Sequence, residues 1–318
     1  MSIVEKMAHS MPVVLVTGGY DHKIRFWEAT SGVCARTLSF GDSQVNCVSI
    51  SADKYLLAAG GNPLIQVFEI NNSSASGEEK PFLTYDRHTS NVTAIGFQKD
   101  RKWLYSGSED GTVRLWDPRA NVSTRTYDTT VPVNTVALAP NEMELFTGDQ
   151  NGNIKTWDLR TDSCREEHQP VVDVPVKSIS VAFDYSLVAV ASQKGKMFIY
   201  TRGNDSNGKL ELSHEFQAHD DYMLKCVVSP DANMLATTSA DKTIKLWNTV
   251  TWDLERTLVQ HVRWVWDAVF SADSLYLVSA SSDQSAKLWD LRTGEVARHY
   301  SAHNLAVTCV ALNDSSEH

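Results

Sequence analysis

One aromatic position recurs seven times at nearly constant spacing, and no other feature of the chain limits its fold so sharply. KIRFWE, TVRLWD, NIKTWD, TIKLWN and SAKLWD align on Trp27, Trp116, Trp157, Trp247 and Trp289, and two weaker copies, LIQVFE and KMFIYT, place Phe68 and Tyr200 at the same point. The successive intervals are 41, 48, 41, 43, 47 and 42 residues. The two long intervals hold polar insertions, Asn71 to Glu79 and Arg202 to Gly208, whose removal restores a period near 42. A unit this short cannot bury both of its faces alone, so neighbouring units must stack.

Within each unit the apolar residues alternate with period two over short runs, as in Val113 and Leu115 or Ile244 and Leu246. Turns such as Ser229-Pro230-Asp231 and Ser271-Ala272-Asp273 separate the runs. This pattern predicts strands, and sustained helical periodicity is absent. Each unit reads as four strands: one ending in the turn, a second such as MLATTSA, the Trp strand, and a polar fourth such as LERTLVQ. Four-stranded units repeating every 40 to 45 residues or so predict an all-β, seven-bladed β-propeller. The ends say how the ring closes, since the chain starts on a second strand, VVLVTGG, and stops after a first strand, AVTCVALND. Pairing of Ala306–Leu312 beside Val13–Thr17 completes the unfinished blade and removes two open sheet edges. The propeller then spans residues 13–312, with a short extension at 1–12 and a tail at 313–318.

The 318 residues carry a formal net charge of −10. That balance argues against duplex nucleic acid and anionic membranes, which both select a basic footprint. No apolar stretch approaches the roughly 20 residues that cross a bilayer, and Val13 to Val16 is too short for a signal-peptide core. Five cysteines, Cys34, Cys47, Cys164, Cys226 and Cys309, are odd in number, dispersed and without a CxxC pair. They read as reduced core thiols of a cytoplasmic protein, with neither a disulfide framework nor a zinc site. P-loop, GxGxxG, HExxH and GxSxG motifs are absent, so the chain reads as non-enzymatic, with no cofactor and no metal.

A second spacing is sharper than the first. His88, Ser108, Asp110 and Trp116 are separated by 20, 2 and 6 residues, and the same intervals recur at His219, Ser239, Asp241, Trp247 and at His261, Ser281, Asp283, Trp289. A wrapped copy joins His303 to Asp21 and Trp27, with Gly19 in place of the Ser. His, Ser and Asp together suggest a hydrolase triad, but a triad is one site, whereas this constellation recurs blade after blade and ends each time on an indole. The better reading is a buried polar chain in which Asp orients the imidazole, Ser bridges, and the Trp N–H finds an acceptor.

GSEDGTVRLWD, TSADKTIKLWN and SSDQSAKLWD, each preceded by the spaced His, resemble WD40 repeats, and the resemblance covers essentially the whole chain. GGYDHKIRFWEATSG, DSQVN at Asp42 to Asn46, TGDQNGNIKTWDL at Thr147 to Leu159, RWVWDAVFS at Arg263 to Ser271 and the C-terminal ALNDS further resemble the small, G-protein-β-like WD40 subunits of TOR kinase complexes. Asn62, Asn151 and Lys194 depart from the repeat by replacing the turn Asp in blades two, four and five, so their polar chains must differ or be absent.

The resemblance implies a non-catalytic scaffold that binds and stabilises the kinase domain of a TOR-type phosphatidylinositol-3-kinase-related kinase in growth and nutrient signalling. Other complex subunits would be reached indirectly, and endomembranes only through the kinase complex. It further implies that residues around the ring mouth hold the kinase. Arg263, Trp264 and Trp266 stand at the start of a strand where the repeat demands no Trp, and tryptophans at i and i+2 face one side of a strand. Gln44 and Asn46 occupy the same place in blade two, and Tyr222 and Leu224 in blade six. The alternative is a WD40 adaptor of another complex, a ubiquitin-ligase substrate receptor or a G-protein-β-like subunit, which an F-box or a long N-terminal helix would favour.

Overall fold

A computed structural model of the chain describes residues 13–71, 80–119, 122–203 and 209–315. The extension at 1–12, most of both insertions and residues 316–318 lie outside the described residues. The described chain is all-β and forms seven four-stranded antiparallel sheets. Six blades are consecutive in sequence; blade two, for example, runs Cys47–Ile50, Leu56–Gly60, Ile65–Glu69 and Leu83–Tyr85. Blade one is the exception and carries the closure. Its first strand is the last of the chain, Val307–Asn313, which pairs with Val14–Gly19 from Val14↔Asn313 to Gly19↔Val307, as the ends of the sequence predict. That strand ends one residue past Leu312, where Asn313 also donates to Ser51 O at 3.0 Å and Ala52 O at 3.1 Å in blade two.

The seven aromatic positions share one register. Trp27, Trp116, Trp157, Trp247 and Trp289 each lie opposite a leucine of the second strand, namely Leu15, Leu104, Leu145, Leu235 and Leu277. Phe68 opposes Leu57 and Tyr200 opposes Val188 in the same place. These residues are buried between blades, not within one. Val16, Ile24 and Leu38 of blade one, for instance, pack with Val45, Leu57 and Phe68 of blade two. A ring in which every blade shares its core with its neighbour has no independently folded unit, so its stability depends on closure.

Close approach of neighbouring blades also explains the glycines of the second strands. A Cβ on Gly60 would lie 2.7 Å from Val92 Cγ1, and one on Gly148 would lie 2.4 Å from Val176 Cγ1, each valine belonging to the next blade. The first strands of successive blades contact one another around the ring and wall a central channel.

Candidate functional site

Four blades contain a continuous polar chain, and its bridging residue differs from the one the spacing suggests. In blade three Trp116 Nε1 donates to Ser106 Oγ at 2.8 Å, Ser106 lies 2.7 Å from His88 Nε2, and His88 Nδ1 lies 2.8 Å from Asp110. A carboxylate only accepts, so Nδ1 carries the proton and Ser106 donates to Nε2. Blade six repeats the chain through Thr237, at 3.0 Å from Trp247 Nε1 and 2.8 Å from His219 Nε2, with His219 Nδ1 at 2.7 Å from Asp241. Blade seven repeats it through Ser279, at 2.8 Å from Trp289 Nε1 and 2.7 Å from His261 Nε2, with His261 Nδ1 at 2.7 Å from Asp283.

Ser108, Ser239 and Ser281 are therefore not the bridges. Register is the reason: Ser106 lies opposite Arg114, so Trp116 is its diagonal cross-strand neighbour, within side-chain reach. Ser108 is two residues further along, beyond the indole. It serves the turn instead, accepting Asp110 N–H at 3.2 Å, and Ser239 and Ser281 accept the Asp241 and Asp283 N–H groups at 3.1 Å. The wrapped copy in blade one is complete for the same reason. Thr17, not Gly19, is its bridge, 2.7 Å from Trp27 Nε1 and 2.8 Å from His303 Nε2, and His303 Nδ1 lies 2.9 Å from Asp21. In blade four Trp157 still donates to Thr147 at 3.1 Å, while Asp149 turns to the hairpin, accepting from Asn151 N and Asn153 N.

The histidines and bridging hydroxyls of these chains are buried, and the carboxylates at their outer ends are half-buried. Burial holds the His88, His261 and His303 imidazoles below their ordinary value, against the pull of their carboxylates, so they are neutral. Asp241 and Asp283 sit well below the carboxylate range; burial opposes this, but hydrogen bonds from His219 and Thr243, and from His261 and Ser285, outweigh it. The chains hold the second and third strands to the loop that leads into the first.

That loop delivers the chain to the channel mouth, where six of the seven first strands carry a β-bulge at their second residue. The ladders skip Thr93, Asn134, Lys177, Leu224, Trp266 and Thr308. Asn46 holds the equivalent place in blade two, its N–H bonded to Gly60 O at 2.8 Å. A bulge re-aims its side chain, and all seven residues line one cavity of 360 Å³ on the propeller axis. Of the residues singled out from sequence, Asn46, Leu224 and Trp266 belong to this ring, and Gln44 lines the same cavity. Tyr222, Arg263 and Trp264 stand above it on the rim, Tyr222 being 48% and Trp264 41% exposed. Trp264 packs on Trp266 with ring centroids 5.7 Å apart, and Trp266 Nε1 donates to Ser282 Oγ at 2.6 Å. Thr93, Asn134, Lys177 and Thr308 escaped the sequence reading, although the repeat register places all of them where it places Asn46 and Trp266.

The comparisons with known proteins agree with this architecture. A model of the family described as WD domain, G-beta repeat matches residues 32–69, 79–117, 121–158, 210–248 and 252–290. The target of rapamycin complex subunit wat1 of Schizosaccharomyces pombe is 49% identical over 99% of both chains. The LST8 subunit of Saccharomyces cerevisiae is 44% identical over 96% of this chain and 100% of its own, and that of Bos taurus is 40% identical over 96% of each. The chain belongs to this family of WD40 subunits of target-of-rapamycin complexes.

As a WD40 subunit it owes its mouth chemistry to a few fixed groups. Lys225 Nζ lies 3.1 Å from Asp267 Oδ1, whose other oxygen accepts Val310 N–H at 3.0 Å, so one carboxylate ties together blades six, seven and one. Burial pushes the Cys47 thiol in the channel wall up to about 12, which leaves it protonated and without nucleophilic character at neutral pH.

Proposed function

We propose that this WD40 subunit is a non-catalytic scaffold that binds the kinase domain of a TOR-type kinase through the channel mouth and stabilises it in growth and nutrient signalling. One observation carries the reading: Trp264 and Trp266 pack on one another at the mouth, one on the open rim and the other pinned by Ser282 in the channel. An exposed aromatic backed by a fixed one is the kind of surface that supplies binding hot spots. The ring of bulges around it is rigid, since each bulge is set between paired strands, so docking costs the propeller little ordering entropy. The names of the relatives support membership of a TOR complex, and through that complex the protein would reach endomembranes from the cytoplasm.

The test is a Trp264→Ala/Trp266→Ala variant, purified as the full chain and titrated against the purified kinase. Each hot-spot truncation removes about 2 kcal/mol or more, so Kd rises at least about thirtyfold while the melting transition persists. Binding at the parental Kd would refute the assignment of this face.

A further inference from the structure

Among the polar side chains that the bulges aim into the mouth, all but one are engaged by the propeller itself. Thr93 Oγ1 donates to Val133 O of the next blade at 2.8 Å, Asn134 Nδ2 to Val176 O at 3.0 Å, and Thr308 Oγ1 to Val45 O. Asn46 Nδ2 reaches Asn91 Oδ1 at 3.5 Å. Lys177 is the exception. It is half-buried in the cavity wall and has no hydrogen-bond or ion-pair partner among the described residues. Among the described residues the one acidic influence on it is Glu109, felt at Coulombic range, and that carboxylate already accepts Asn91 Nδ2 at 2.7 Å. The cavity's other lysine, Lys225, is paired with Asp267.

We propose that Lys177 reads a carboxylate on the segment that covers the mouth: an Asp or Glu side chain of the kinase enters the channel and pairs with the Lys177 ammonium. This rests on the mouth being the kinase-binding face. A half-buried ammonium has lost part of its hydration without a direct partner in return, and burial pulls its proton affinity down against the distant pull of Glu109. A carboxylate delivered by a partner restores that loss, and charge pairs desolvated at an interface couple strongly. The amides of Asn91 and Asn134 line the same cavity beside it. A multiply charged phosphate suits the site less well, because one free ammonium would face it while Glu109 and Asp267 of the same cavity repel it.

The experiment titrates purified full-length Lys177→Met, Lys177→Glu and Trp264→Ala/Trp266→Ala against the purified kinase at low and high salt. Lys177→Met is expected to raise Kd about tenfold or more and to flatten its salt dependence. Lys177→Glu should raise Kd further. Since Lys177 makes no internal bond, the Met variant should melt like the parent, and it carries the test if the Glu variant fails to fold. Parental Kd and salt dependence in Lys177→Met, alongside lost binding in the Trp variant, would overturn the proposal and leave the face assignment standing. Parental binding in the Trp variant would overturn both.

Discussion

Replacing Thr237 by Val and Ser239 by Ala sets the two candidate bridges of blade six against each other. Thr237 is fully buried, and its hydroxyl accepts from Trp247 Nε1 at 3.0 Å while facing His219 Nε2 at 2.8 Å. Valine keeps the shape and removes both bonds, stranding an indole donor and an imidazole acceptor where no water reaches. Each stranded group costs about 1–3 kcal/mol, so the variant loses roughly 2–6 kcal/mol in all. Ser239 is equally buried, yet its hydroxyl accepts one turn N–H, from Asp241 at 3.1 Å, and its removal costs about 1 kcal/mol. Urea denaturation of the full chain, followed by tryptophan fluorescence, measures the difference, with Thr237→Ser as the control that restores the hydroxyl. A Ser239→Ala loss equal to or larger than that of Thr237→Val would refute the assignment of the bridge and the register argument behind it.

Other consequences follow from the packing and the protonation states. Gly148→Ala should destabilise by about 1–3 kcal/mol through overpacking, because the added methyl meets Val176 at 2.4 Å and Thr135 at 2.8 Å; an unchanged denaturation midpoint would show that the blades can separate. Truncation at Leu305 removes the strand that pairs with Val14–Gly19 and should abolish the cooperative transition, since one blade loses its wall of the channel; calorimetry showing a melt like the parent's would contradict ring closure as the source of stability. Acid should destabilise early. His88, His261 and His303 bind protons less readily folded than unfolded, so their contribution is complete above about pH 6.5 and is lost as pH falls toward their folded values. Asp241 and Asp283 then add a further loss as pH drops below the ordinary carboxylate range, and midpoints that rose on acidification from pH ~7.5 to pH ~5.5 would reverse the sign of this argument.

Much of this protein is legible in its sequence because repetition turns a weak signal into a strong one. A single alternating run could be any strand, but seven runs locked to an aromatic position fix the blade number, and the unequal ends fix the closure through Val307–Asn313. The triple recurrence of His, Asp and Trp likewise identified three members of each polar chain. It misled on the fourth, because Ser108, Ser239 and Ser281 recur as faithfully as the true bridges: turn capping repeats with the blade just as the chain does. Linear spacing counts residues, whereas a hydrogen bond depends on which residue lies diagonally across the ladder, and that is set by register.

The channel mouth divides in the same way. Trp264 and Trp266 announce themselves as residues the repeat does not need. Lys177 does not, since a lysine on an exposed-looking strand start reads as solvated. Only assembly of the ring puts it on a bulge facing six other blades, half-buried and without the neighbouring-blade carbonyl that Thr93, Asn134 and Thr308 each find. The sequence alone determined what every blade is, because local pairing and burial are written into each repeat. What converges on the axis was decided by tertiary structure, because residues more than 260 apart, such as Val45 and Thr308, become neighbours only when the circle shuts.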